Sequence, residues 1–182
     1  MGGYVNDTGL PSVTEILSPH IETAWFTEEH ARRGSMVHAA CGGHLLGNWV
    51  PLPAEYRCYF DSFRSWADTN IDQVVLVEKR LCDHDLGYTG QPDAVLIIKG
   101  DTEPSLWDWK TSQAYCPWWR IQGGAYRSLA LKNDIITHRG GSLRLKKDGS
   151  MALVNQWPDS HWGDYNIFVG LLNAHKFFKG GK

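Results

Sequence analysis

Cysteine is scarce. The chain has four, Cys41, Cys58, Cys82 and Cys116, spaced by 17, 24 and 34 positions. That spacing offers no CxxC pair, so a zinc ribbon and a small disulfide scaffold are both excluded, and the thiols read as reduced cysteines of a cytoplasmic protein. Long apolar runs are missing too: none approaches the ~18 residues that a membrane helix needs, so no membrane association is expected. Met1-Gly2-Gly3-Tyr4 shows no basic stretch followed by an apolar one, so no secretory leader is expected. There is no repeat and no low-complexity tract. Bulk positive charge is absent as well. A net charge of −2 excludes coating of a polyanion by electrostatics alone. The charge is nevertheless uneven: residues 1–126 carry 9 basic and 16 acidic side chains, residues 127–182 carry 9 and 4. Any contact with nucleic acid must therefore be local.

What is present is an ordinary globular composition, with 42% hydrophobic and 21% charged residues among 182, the length of a single domain. A chain of this size buries roughly 70% of its unfolded surface and needs no covalent staple. Nine tryptophans are a high count for this length, and most are expected in the core. Ser12-Val13-Thr14-Glu15 has the form of a capping box and opens a short helix to Leu17. Thr27-Glu28-Glu29 caps a second helix ending near Gly47. Pro53 suits the first position of a third helix, in which Tyr56, Tyr59, Phe60, Phe63 and Trp66 recur at helical spacing. Strands are predicted over 73–81, 88–98, 105–110, 134–145 and 151–155, a helix from Pro117 to about Lys132, and a last helix capped by Asp159 or Ser160 and running to about Lys179. The order predicts an α/β fold with α+β character, a small mixed central sheet flanked by helices, and not a doubly wound one.

The stretch that carries chemistry is Gly90-Gln91-Pro92-Asp93 followed by Asp108-Trp109-Lys110. Asp108 and Lys110 are two apart on a strand, so they share a face. If the strands on either side of the 100–104 turn pair, Asp93 joins them. Two carboxylates and the Trp109 carbonyl form an all-oxygen set suited to Mg²⁺ or Mn²⁺. Lys110 beside them can orient a water or steady developing negative charge. A D-x-K tripeptide alone also fits a solvated hairpin. The apolar Leu106-Trp107 before Asp108 suggests instead a buried carboxylate, which needs a partner or a metal.

The series Glu78, Gly90-Gln91-Pro92-Asp93, Asp108-Trp109-Lys110-Thr111-Ser112 and Gln122-Gly123-Gly124-Ala125-Tyr126 resembles the PD-(D/E)xK nuclease superfamily in its RecB-like branch, which includes helicase-associated nuclease domains and phage recombination exonucleases. Gln122 and Tyr126 are similar to that branch's QxxxY motif. Arg33-Gly34-Ser35-Met36-Val37-His38 is similar to its RG-x-x-x-H helix. The opening Ser12 to Leu17 resembles the start of its small members. The likeness spans roughly residues 11–178 and implies a restriction-endonuclease-like core.

It further implies a metal-dependent deoxyribonuclease acting on DNA, single-stranded or at a duplex end, and exonuclease action in recombination or DNA processing. Metal ligands would be His38, Asp93, Asp108 and the Trp109 carbonyl. Asp93, Asp108 and Lys110 would be catalytic, with Glu78 beside them or simply paired at the surface. Gln122, Tyr126, Arg33 and Arg120 would meet the substrate. The histidine would favour Mn²⁺ without excluding Mg²⁺. On residue type alone His38 also fits a core position, and Trp118-Trp119-Arg120 fits either core or a base-stacking platform. Gly123-Gly124, costly inside a helix, implies close approach of another backbone or tight helix–sheet packing. No cysteine follows Cys116, so the iron–sulfur cluster of some branch members is not expected. A helicase or recombination partner would be a separate chain. Stand-alone domains of this size resemble phage enzymes working in the infected host cell. The alternative is a non-catalytic DNA-binding or protein-interaction module on the same fold.

Overall fold

A computed structural model describes residues 8–21 and 26–179; the Met1–Tyr4 segment, on which the expectation about a leader rests, lies outside them. Ser12 accepts a hydrogen bond from the Glu15 N–H (3.1 Å) and opens α1, Val13–Leu17. The helix ends at Leu17 as predicted, and Pro19 sits in a 3-10 turn, Ser18–His20, that follows it. Helix α2, Glu28–Leu45, starts with a reciprocal cap: Thr27 Oγ1 accepts from the His30 N–H, and His30 Nδ1 accepts from the Thr27 N–H. It stops where Gly47 takes a left-handed φ of 70°. Pro53 leads into a 3-10 turn, Ala54–Tyr56, from which α3, Arg57–Asn70, continues.

Four of the predicted strands differ in extent from their patterns, the one predicted over 151–155 only by a shift to 153–156. Residues 73–81 split into β1, Ile71–Val77, and β2, Leu81–Asp83, because Glu78 turns the chain with a φ of 43°. Residues 88–98 split into β3, Tyr88–Gly90, and β4, Ala94–Ile98. Pro92, between them, has no N–H to give to a ladder. Strand β5, Ser105–Lys110, is as predicted. After α4, Trp118–Lys132, residues 133–135 cap the helix instead of starting a strand. Asp134 is left-handed (φ 62°) and the Ile135 N–H returns to the Ala130 carbonyl at 2.9 Å. Strand β6 therefore begins only at Arg139 and runs to Arg144; β7, Leu153–Gln156, and α5, Trp162–Lys179, complete the chain.

The main sheet has the order β1-β4-β5-β6-β7. Only β5 and β6 pair in parallel, through the crossover helix α4; the other neighbours are antiparallel. Strands β2 and β3 form a separate antiparallel pair. The result is the mixed sheet flanked by helices that the sequence predicts, consistent with a restriction-endonuclease-like core. β5 is buried on both faces, and its alternation decides what each face holds. Leu106 joins Val95, Trp119, Tyr126, Leu129 and Phe168 under α1, α4 and α5. Trp107 and Trp109 join Phe63, Trp66, Val37 and Leu143 under α2 and α3. Each such side chain contributes about 1.5–3 kcal/mol by leaving water. Among the described residues no helix is long and apolar enough to cross a membrane.

The glycine pair in α4 serves packing. A Cβ on Gly123 would lie 2.1 Å from the Trp157 ring, and one on Gly124 would lie 3.0 Å from the Tyr165 backbone nitrogen in α5. Gly124 thus allows close approach of another backbone of the protein, and Gly123 allows tight packing of a side chain. Gly123→Ala should therefore destabilise the fold by about 1–3 kcal/mol through overpacking. Gly170→Ala, on α5 with nothing within 4 Å of the new methyl, should stabilise it by about 1 kcal/mol. Urea denaturation of the two variants checks the contrast, and equal effects would refute it.

Candidate active site

At the end of β5 the β4–β5 ladder stops. The last paired residues are Ala94 and Trp107, and Pro92 precludes a further rung. The Trp109 N–H that is left over donates to Asp93 Oδ2 at 2.6 Å. The second oxygen of the same carboxylate, Oδ1, accepts from His38 Nδ1 on α2 at 3.0 Å. An ionised carboxylate only accepts, so Nδ1 carries the proton and the lone pair of a neutral His38 is on Nε2.

Asp108 and Lys110 stand on the face of β5 that α4 covers. Asp108 is 3% exposed, and its Oδ2 lies 2.5 Å from Lys110 Nζ. The same ammonium donates to Gln122 Oε1 at 2.7 Å, and Gln122 Nε2 donates to the Tyr126 hydroxyl at 3.3 Å. The i,i+4 spacing on α4 thus becomes a relay from the lysine through the amide to the phenol. Lys110 Nζ also lies over the rings of Trp118 (5.3 Å) and Trp119 (5.6 Å), which hold it by cation–π attraction. Tyr126 reaches the site because residue 90 is glycine: a Cβ there would come within 2.7 Å of its ring.

The charges are tightly coupled. Burial pushes the Asp108 carboxyl up to about 6; Lys110 pulls it down, and the negative charge of Asp93 adds to the rise. Burial lowers the His38 pKa, but the charge and hydrogen bond of Asp93, with Asp108 behind it, outweigh that and leave the imidazole above its ordinary value. Burial, then Asp108 and Asp93, raise the Tyr126 phenol, so it stays a protonated donor.

His38, Glu78, Asp93 and Gln91 line one cleft with Thr14, Phe26 and Ser35. The Glu78 N–H donates to the Asp93 carbonyl at 2.9 Å, and its carboxyl lies against α2 at Gly42. The structure thus brings together His38, Asp93, Trp109, Asp108, Lys110, Gln122 and Tyr126, with Glu78 at the side. Two arginines expected to meet substrate are engaged elsewhere. Arg33 packs over the Tyr59 ring at 5.3 Å. Arg120 makes a two-pronged contact with Asp164 of α5 (3.2 and 3.1 Å). Trp119 is core, and Trp118 is half-buried beneath the lysine. Sequence reasoning gave no role to Phe26, although its place just before the Thr27 cap is a signal for a staple residue, nor to Gln91, which accepts from Arg80 at 3.4 Å.

Two carboxylates and an imidazole are a chemically apt donor set for Mg²⁺ or Mn²⁺, and the raised pKa of Asp108 is the mark of a buried carboxylate that a cation would relieve. Among the described residues, however, no three His, Cys, Asp or Glu side chains are grouped as a ready ligand set. Asp93 is held by His38 and the Trp109 N–H, and Asp108 by Lys110.

No family model and no curated protein matches the chain. Among solved structures it is similar to an alkaline exonuclease (LHK-Exo) from Laribacter hongkongensis, at 15% identity and a TM-score of 0.34 over 94% of this chain and 92% of that one. A likeness that loose fixes neither fold nor activity.

The raised Asp108 pKa has a definite sign in stability. A carboxyl whose folded pKa exceeds its unfolded value favours the fold when protonated. That contribution is full below the unfolded value and is lost as pH rises through the window from 3.8 to about 6. In EDTA, Asp108→Asn should therefore melt above the wild type near pH 7.5, by up to about 3 kcal/mol in stability, and the gap should close as pH falls to about 4. Calorimetric melting of both proteins across that range checks it; a gap independent of pH would show that Asp108 is not the perturbed carboxyl.

Proposed function

We propose that the chain is a single-domain, divalent-metal-dependent DNA nuclease of the PD-(D/E)xK type that hydrolyses phosphodiester bonds, acting as an exonuclease on DNA ends in recombination or DNA processing. The observation that carries this reading is the buried Asp108–Lys110 pair with Asp93 and His38 on adjoining elements, and the lysine positioned by Gln122. A buried carboxylate whose charge is disfavoured, beside an ammonium held by three neighbours, is costly for a merely structural role.

Mg²⁺ or Mn²⁺ held by His38, Asp93, Asp108 and the Trp109 carbonyl would supply Lewis-acid stabilisation of charge on the phosphodiester. The rest falls to the chain. Asp93 orients His38 through Nδ1 and keeps Nε2 free. Lys110, fixed by Gln122 and the two indoles, presents one ammonium to an attacking water and to charge growing on the phosphoryl oxygens. Tyr126 keeps Gln122 in place. Glu78, at the mouth of the same cleft, adds negative charge near the ligands and favours a cation there.

The rival, a non-catalytic DNA-binding or protein-interaction module, draws on the lack of three gathered ligands among the described residues. Metal separates the two. Mn²⁺ should raise the melting temperature of the wild type by mass action, support cleavage at least as well as Mg²⁺, and lose both effects to EDTA. Full cleavage in excess EDTA would sink the metal-dependent reading; no metal-dependent stabilisation and no cleavage would favour the module.

Lys110→Ala isolates the chemistry. It should retain metal-induced stabilisation, since lysine is no ligand, while single-turnover cleavage falls on the order of 10²–10³. Wild-type cleavage by this variant would place the reaction elsewhere. On linear against covalently closed circular DNA, an exonuclease leaves the circles intact; rapid loss of circles would make it an endonuclease.

A further inference from the structure

At the opposite end of the β5–β6 ladder from Lys110 lies a second cavity, of about 310 Å³, between α4, the start of β6 and the start of α5. Arg127 forms its inner wall. This guanidinium is 3% exposed, yet no carboxylate lies within ion-pair distance of it among the described residues. Its Nε donates to Thr137 Oγ1 (3.2 Å), Nη1 to the Pro158 carbonyl (3.3 Å) and Nη2 to the Thr137 carbonyl (2.9 Å). A guanidinium has five N–H donors, so one on each terminal nitrogen finds no acceptor there. A buried charge with no directly paired counter-charge is expensive: burial lowers the Arg127 pKa, and Asp159, beyond ion-pair distance, only partly offsets it.

The same cavity is bordered by Ser160 and His161, which lead into α5, and by Trp162, its first residue. The first return hydrogen bond of that helix is Tyr165 N–H to the His161 carbonyl (2.9 Å). Among the described residues, neither Asp159 nor Ser160, which the sequence marks as capping residues, makes a side-chain hydrogen bond to the helix start, although Asp164 places an acid in its first turn. A helix start and a buried guanidinium with two spare N–H donors therefore face one cavity, and both favour an anion. The outer wall is apolar: Ile136 is 72% exposed, and Trp162, 50% exposed, stacks one ring face on His161 at 4.5 Å.

We propose that this cavity is a nucleotide-binding site distinct from the cleft at Asp93 and Asp108, with the phosphate on Arg127 and the start of α5 and the base on Trp162 and Ile136. Three phosphate oxygens suit donors that converge from a side chain and a helix start better than a planar carboxylate does. The choice of nucleotide rests on the nuclease reading; the anion site does not. Asp159 at the rim opposes the anion, since it is the acid whose field already reaches Arg127.

The test is calorimetric titration with inorganic phosphate and with deoxyadenosine 5′-monophosphate, on the wild type and three variants, without added metal. Both probes should bind, the nucleotide more tightly. Trp162→Ala should weaken the nucleotide by at least about fivefold and leave phosphate unchanged. Asp159→Asn should tighten both by roughly threefold, an effect that loss of structure cannot produce. Asp108→Ala should leave both unchanged. A short single-stranded oligonucleotide distinguishes a nucleotide within a strand, which the mononucleotide would displace, from a free mononucleotide, with which the strand would not compete. No binding of either probe at millimolar concentration overturns the proposal. So does binding that is lost in Asp108→Ala and indifferent to Trp162→Ala and Asp159→Asn, because the probe would then sit in the cleft. A chain that binds both probes here but cuts no DNA keeps the anion site and loses the nuclease reading; a chain that cuts DNA and binds neither does the reverse.

Discussion

The Asp93 carboxylate is the tie on which the candidate site depends. One oxygen takes the Trp109 N–H, which the broken ladder leaves without a partner, and the other takes the His38 imidazole from α2. A single side chain therefore joins a strand end, a neighbouring strand and a helix. Pro92 makes this necessary, since a residue with an N–H could have continued the strand. Glu78 adds the other half of the closure by donating its N–H to the Asp93 carbonyl while its own backbone turns left-handed. Strain in a non-glycine residue beside a cleft is a pattern of functional sites, and here it coincides with the carboxylate that does the tying.

The second tie is Lys110. Its ammonium touches a carboxylate, an amide and two indole faces. Burial of Asp108 and Lys110 together is tolerable because each limits the other's desolvation cost. The balance still leaves Asp108 disfavoured as an anion, so the site has spare affinity for positive charge. That asymmetry is what makes a cation-dependent reaction plausible chemistry for these residues. The two arginines expected to meet substrate are absorbed by packing, Arg120 by joining α4 to α5 and Arg33 by lying on Tyr59. The basic C-terminal third likewise spends part of its charge internally, and Arg127 is buried there on neutral acceptors.

Much of the site was legible in the residues. Asp108 and Lys110 share a face because strands alternate, and Gln122 and Tyr126 share one because helices repeat at 3.6. The capping residues Ser12 and Thr27 announced their helices correctly. The splitting of residues 73–81 and 88–98 was harder to see. Both segments carry β-branched runs, and the interruption comes from one left-handed glutamate and one proline whose effect depends on what pairs alongside. Residues 134–138 carried a strand pattern, but Asp134 and Ile135 were recruited to close α4 and the strand begins only at Arg139.

Local periodicity determined the helices, the mixed α/β character, the D-x-K face and the Q-x-x-x-Y face, because each depends on φ, ψ and the few residues next in line. Tertiary structure alone decided that Asp93 binds His38 and not solvent, that Gly123 is emptied for Trp157, that Arg120 pairs with Asp164, and that Arg127 is buried against Thr137. Those partners lie 55, 34, 44 and, for Arg127 and Thr137, 10 positions apart, on separate elements. A pattern read along the chain carries which face a side chain takes; which element packs against that face is a property of the folded core.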